Sequence, residues 1–79
     1  MARIKMTAAA RRRINKSELL VALRNAGMPL LVHQNRAYFV GTDSRGIRFE
    51  IILVVDDYDA DVWIAIHAMP IHYRKNIES

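Results

Sequence analysis

The sequence predicts an α+β domain: two N-terminal helices packed on one face of an antiparallel β-meander of three to four strands, with residues 3–6 available as an added edge strand. Three observations carry this expectation. The first third of the chain is rich in Ala and Leu and holds two helix-capping signals. After Pro29 the chain turns to β-branched and aromatic runs. Those runs are separated by clusters of Asp, Asn, Ser and Gly. The whole of 1–79 makes one small domain with a basic N-terminal segment and a loose C-terminal tail.

Arg3-Ile4-Lys5-Met6 alternates polar and apolar residues, as an edge strand does, and its two cations discourage edge-to-edge pairing. Thr7 is placed to cap a helix from Ala8 to about Ile14. Asn15, with Glu18 three residues on, resembles a capping box opening a second helix that runs to about Ala26. Leu19, Leu20, Leu23 and Ala26 form the apolar face of that helix. Gly27 suits the residue after its end, and Pro29 forbids continuation. Leu30-Leu31-Val32 and Ala37-Tyr38-Phe39-Val40 are short strands around a turn at Gln34-Asn35-Arg36. A second turn spans Thr42 to Gly46. The tail from Ile71 to Ile77 is expected to close in a loose helical turn.

Gly46 to Met69 organises the rest. Two apolar runs flank the acidic loop Asp56–Asp61, the pattern of a β-hairpin. Placing Val55 opposite Val62 sets Leu53 against Ile64, Ile51 against Ile66 and Phe49 against Ala68. These form one continuous core face, which takes Leu19, Leu20 and Leu23. The reverse face then pairs Val54 with Trp63, Ile52 with Ala65, Glu50 with His67 and Arg48 with Met69.

The chain carries a net charge of +4 and has no Cys, so no disulfide or thiolate–metal staple exists and a reducing compartment is expected. Its basic start is not followed by the apolar stretch of a secretory leader, and no apolar run reaches the length of a membrane span. A cytoplasmic protein without membrane contact is the expectation. Six of the twelve basic residues lie in the first sixteen positions, where no acid occurs, and half of the eight acids lie in the loop 56–61. A basic end of this kind fits a polyanion or an acidic protein partner. Arg11, Arg12, Arg13, Lys16, Arg45 and Lys75 are the candidate nucleic-acid contacts. Because the Arg11–Arg13 triplet spans nearly a full helical turn, its members are expected to face different ways, contacting phosphate rather than reading bases.

Gly-rich phosphate loops, nucleophile elbows and metal-ligand spacings are absent from the sequence, so no cofactor and no metal are expected. His67 is the residue that stands out, an imidazole inside an otherwise apolar strand. It requires a partner, for which Glu50 is the candidate, and an imidazole titrates near neutrality, as an acid or base must. Directly after it, His72-Tyr73-Arg74-Lys75 combines the residue types that hold phosphate, stack on a base and move protons.

The segment Gly-Thr-Asp-Ser-Arg-Gly-Ile-Arg-Phe-Glu-Ile, the acidic loop, and Val-Trp-Ile-Ala-Ile-His-Ala-Met-Pro with its basic tail together resemble small bacterial proteins of the BrnT-like toxin group. That group is similar in fold to RelE, a ribosome-associated messenger RNA endonuclease. The resemblance is one of pattern and covers about residues 4 to 75. Where many relatives carry a His in the first helix, this chain has Ala8-Ala9-Ala10.

What the resemblance implies is a RelE-like toxin of a type II toxin–antitoxin system, an endoribonuclease acting on RNA without metal. A cognate antitoxin with an acidic segment would neutralise it in a hetero-oligomer. Within that implication His67, Glu50, Arg48, Arg74, Tyr73 and His72 are the catalytic candidates. Two other classes stay open: a non-catalytic nucleic-acid-binding protein, and a protein-interaction module such as an inactive toxin relative or a phage accessory protein.

Overall fold

The computed structural model describes residues 3–71. Its elements are β1 (Arg3–Met6), α1 (Ala8–Arg11), α2 (Lys16–Ala26), β2 (Leu31–His33), β3 (Arg36–Thr42), β4 (Arg48–Val55) and β5 (Val62–Pro70). The strands form one five-stranded mixed sheet in the order β1-β5-β4-β3-β2. From β1 at one edge the chain crosses in the helical layer to β2 at the other edge. It then returns as an antiparallel meander until β5 lies beside β1, parallel to it. The α+β class and the added N-terminal strand are therefore present. The closing turn expected over 71–77 lies, Ile71 apart, outside the described residues.

Local chemistry sets the helix ends. The Thr7 hydroxyl accepts from the Ala10 N–H at 3.2 Å and opens α1, which ends at Arg11 rather than near Ile14. The Asn15 carboxamide oxygen accepts from the Glu18 N–H at 2.9 Å and opens α2. Only this half of the expected capping box forms. The Glu18 carboxylate instead takes the N–H and hydroxyl of Ser44, at 2.8 and 2.6 Å, tying the start of α2 to the turn between β3 and β4. Gly27 closes α2 at a φ of 74°, a conformation in which a Cβ would strain.

That second turn is built around a buried carboxylate. Asp43 accepts from the N–H groups of Arg45 and Ile47, each at 2.9 Å, and from the Arg45 guanidinium at 2.7 and 3.0 Å. Burial pushes this carboxyl up, but the guanidinium and the two N–H groups outweigh it and hold Asp43 below the usual carboxylate range.

The core lies between the helices and one face of the sheet. Leu19 and Ala22 of α2 and Ala10 of α1 meet Phe49, Ile51 and Leu53 of β4 and Ala65 and Ala68 of β5, all buried. Leu23 packs against the rim of this cluster, whereas Leu20, expected inside, is exposed. The helix is rotated so that the i, i+3 pair Leu19 and Ala22 points inward. It lies over β3, where Gly41 lets it come close: a Cβ there would overlap the Ala22 carbonyl oxygen and sit 2.9 Å from the Ala26 Cβ.

The central hairpin forms with a different register. Val55 faces Trp63, Val54 faces Ile64 and Leu53 faces Ala65. Then Ile52 faces His67, Ile51 faces Ala68, Glu50 faces Met69 and Phe49 faces Pro70. Ile66 is thus an extra residue, a β-bulge in β5. Ile64 consequently lies on the reverse face, not in the core, and Ile66 has no cross-strand partner. Ala65 and Ala68 take the core positions, in the same buried cluster as Ala10 of α1, the helix that packs on β5.

Candidate functional site

Both helices lie on one side of the sheet, so the reverse face carries no second layer among the described residues. The strand registers order its side chains into transverse rows. One row runs His33, Arg36, Val54, Ile64, Lys5. The next runs Leu31, Tyr38, Ile52, His67. A third holds Val40, Glu50 and Met69, and the end of the face holds Thr42 and Arg48.

His67 and Glu50 meet on this face. The imidazole Nε2 lies 3.0 Å from Glu50 Oε2, with both side chains about a third exposed. The sequence leads one to expect them directly opposite; they are diagonal instead, since Glu50 faces Met69 and His67 faces Ile52. The observed pairing differs from the expected one by two residues at this end of the hairpin. An even shift preserves the face, and a diagonal pair stays within reach of long side chains. A carboxylate only accepts, so Nε2 carries the proton shared with Glu50, leaving Nδ1 as the ring's basic nitrogen.

Tyr38 completes the array. Its hydroxyl donates to Glu50 Oε1 at 3.1 Å, so a single carboxylate bridges a phenol and an imidazole across three strands. Burial first, and then the hydrogen bond and charge of Glu50, push the Tyr38 phenol up; it remains a donor at neutral pH. Sequence reasoning does not single out Tyr38. Its position in Ala37-Tyr38-Phe39-Val40 is the available signal, since Phe39 on the core face forces Tyr38 onto the opposite one.

Arg48 stands exposed at the end of the same face, beside Thr42 rather than Met69. His72, Tyr73, Arg74 and Lys75 lie outside the described residues.

The basic candidates assemble elsewhere. Arg11, Arg12, Arg13 and Arg45 line one cleft of about 330 Å³ with Ile14, Asn15 and Glu18. This corrects the expectation that the triplet fans out. Because α1 stops at Arg11, Arg12 and Arg13 belong to a turn, and all three reach the same cleft. Arg11 donates to the Met6 carbonyl at 3.3 Å, and Arg45 is engaged by Asp43. Glu18, the acid in the cleft wall, is held by Ser44, whose hydroxyl and then N–H keep its carboxyl below the usual range. Arg12 and Arg13 have no carboxylate partner among the described residues. Lys16 borders a neighbouring cleft with Ile4, Lys5, Met6 and Arg11. The cleft belongs to the helical side and the His67 array to the open side, so the candidates form two groups and not one.

Arg3, at the β1 edge, pairs with Asp59 of the acidic loop at 3.1 Å. Asp56 and Asp59 also accept loop N–H groups from Tyr58 and Asp61. Among the described residues, no helix is long and apolar enough to cross a membrane. No family model, curated protein or solved structure matches the chain.

Proposed function

We propose that this protein is a metal-independent endoribonuclease of the toxin type, with RelE-like architecture, working on its open sheet face. The observation that supports the reading most is the hydrogen-bonded Tyr38–Glu50–His67 array on a solvent-accessible face of a basic protein. In such a reaction the RNA 2′-oxygen attacks the adjacent phosphorus. The P–O5′ bond breaks, leaving a 2′,3′-cyclic phosphate and a free 5′-hydroxyl. A base must take the 2′ proton and an acid must give one to the 5′-oxygen. His67 Nδ1 is suited to the first task, with Glu50 holding the ring and stabilising the imidazolium that forms. Arg48, exposed at the end of the same face, is the candidate to hold the phosphate, and His72, Tyr73 and Arg74, next in the sequence, are the candidates for further proton transfer and clamping.

The test is cleavage of labelled single-stranded RNA by purified protein in the presence of chelator, with His67→Ala as the comparison. A wild-type protein inert on varied RNAs, and harmless when expressed alone, removes the reading.

A protein-interaction role is the second reading, and one observation favours it. Leu31 is 61% exposed and Met69 38%, next to half-buried Val40, Ile52, Val54 and Ile64. An antitoxin segment laid over this strip would satisfy both readings, its acidic residues meeting Arg36, Arg48 or Lys5. Binding without cleavage would leave only the second.

A further inference from the structure

A depression of about 510 Å³ opens on the same face, lined by Leu31, His33, Gln34, Arg36, Tyr38 and Ile52. We propose that it is a nucleobase subsite, taking one unstacked base of an RNA strand whose adjoining phosphate is held by Arg36. This rests on the RNA reading above and adds to it the part of the substrate that the site recognises.

The floor comes from one transverse row, Leu31, Tyr38 and Ile52, two aliphatic side chains flanking an aromatic ring. The ring is fixed, since its hydroxyl is tied to Glu50 at 3.1 Å. A fixed aromatic face beside aliphatic walls stacks a base of any type. The rim is polar and carries no acid: His33, Gln34 and Arg36. Arg36 has no carboxylate partner among the described residues. Glu50, the nearest acid by register, is already engaged on both oxygens. The charge around the depression therefore suits a phosphate-bearing ligand and not a cationic one.

Gln34 supplies a separate observation. The turn between β2 and β3 has two residues with positive φ, Gln34 at 50° and Asn35 at 64°. A two-residue turn of this kind favours Asn and Gly at its centre. Gln accepts the left-handed conformation at a cost, and costs of this type gather where a side chain serves a ligand. Here the strained residue lines the depression, and its carboxamide offers both donors and an acceptor to a base edge. His67 stands in the same row as Tyr38, one strand beyond Ile52. Two strand spacings of about 4.8 Å separate them, comparable with the span from a base to its flanking phosphate.

The experiment is an amide-resolved NMR titration of the full chain with the 3′-monophosphates of adenosine, guanosine, cytidine and uridine, and with inorganic phosphate as a separate probe. The nucleotides should move the signals of Leu31 to Arg36, Tyr38 and Ile52 with unequal affinities; phosphate alone should not move Tyr38 or Ile52. Arg36→Ala should weaken nucleotide binding at least tenfold. Gln34→Gly suits the turn, so its melting temperature should match or exceed wild type while the preference among the four bases levels out.

The subsite is overturned if no nucleotide shifts these signals, or if both variants keep wild-type affinities and preference. The latter result would leave Gln34 a turn residue and the depression a seat for an apolar side chain of a protein partner. The two proposals fail separately. RNA cleavage that depends on His67 but ignores Gln34 and Arg36 keeps the enzyme and removes the subsite. Nucleotide binding in the depression without cleavage of any RNA keeps the subsite and removes the enzyme.

Discussion

Replacing His67 with Ala separates a catalytic from a structural imidazole, because the two roles differ in size. As a structural element, His67 makes one hydrogen bond to Glu50, and both side chains are about a third exposed. A pair so open to solvent contributes about 0.2–1 kcal/mol. In a domain of this length 1 kcal/mol corresponds to roughly 4–8 °C in melting temperature. As a proton carrier, His67 should account for about 10²–10⁴ in rate, or roughly 2.7–5.5 kcal/mol of activation free energy. His67→Ala is therefore expected to melt within about 8 °C of wild type and to lose nearly all cleavage. The measurements are single-turnover cleavage of labelled RNA and a thermal melt by circular dichroism on the same preparation. Tyr38→Phe refines the result, since it keeps the ring and removes the donor to Glu50. Its rate should fall less than that of His67→Ala. A His67→Ala protein that cleaves normally but melts far below wild type would refute the reasoning and return His67 to packing.

The fold and the basic cleft carry further expectations. Gly41→Ala places a methyl group against the backbone of α2, which cannot move aside as a side chain would. It should cost about 1–3 kcal/mol or more, read as a lower urea midpoint, and an unchanged midpoint would show that α2 does not approach β3 so closely. Leu19→Ala should cost about 2–5 kcal/mol while Leu20→Ala, on the exposed side, costs under about 1; equal, large costs at both positions would restore the helix rotation expected from sequence. Glu18 has its carboxyl lowered in the folded protein, so the stability it adds is present above the unfolded value of 4.5 and is lost as pH falls through the folded value. Ser44→Ala should accordingly melt below wild type at pH 7 and converge with it at strongly acid pH; a constant gap across that range would mean the pair is not ionic. In the cleft, Arg12→Ala with Arg13→Ala should reduce single-stranded RNA affinity and flatten its salt dependence by roughly 0.7 for each phosphate these side chains neutralise, and identical salt slopes would place the RNA elsewhere.

The sequence is most legible where one rule acts alone. Strict alternation in β4 puts Phe49, Ile51 and Leu53 in the core, as they are. Thr7, Asn15, Gly27 and Gly46 occupy the caps and turns that their chemistry favours. It misleads in β5, where Val62 to Ile66 is apolar at every position and alternation cannot say which side is inside. Size is the missing signal. Ala65 and Ala68 are small and three apart, and they meet the small residues of α1. Two residues three apart can both face the core only if the strand carries one extra residue between them. The Arg triplet fails for another reason: helix propensity would carry α1 further, but the helix stops at Arg11 and the chain turns to bury Ile14.

The bulge at Ile66 connects these points to the site. Counting from Ala65 in the core, unbroken alternation would put Ile66 outside, His67 inside beneath α1, and Ala68 outside. An imidazole there would meet the Ala-lined surface of α1 without Glu50. One inserted residue reverses the sense of the strand from that point. Ala68 moves into the core beneath the helical layer, and His67 moves to the open face within 3.0 Å of Glu50. The packing demand of α1 and the exposure of His67 are thus met by a single irregularity. The same step places His67 in the row of Tyr38 and Ile52, so the imidazole, the phenol and the floor of the depression share one line across the sheet. A regular strand could have placed only one of the two alanines in the core: Ala65 with His67 turned inward, or Ala68 with His67 on the open face.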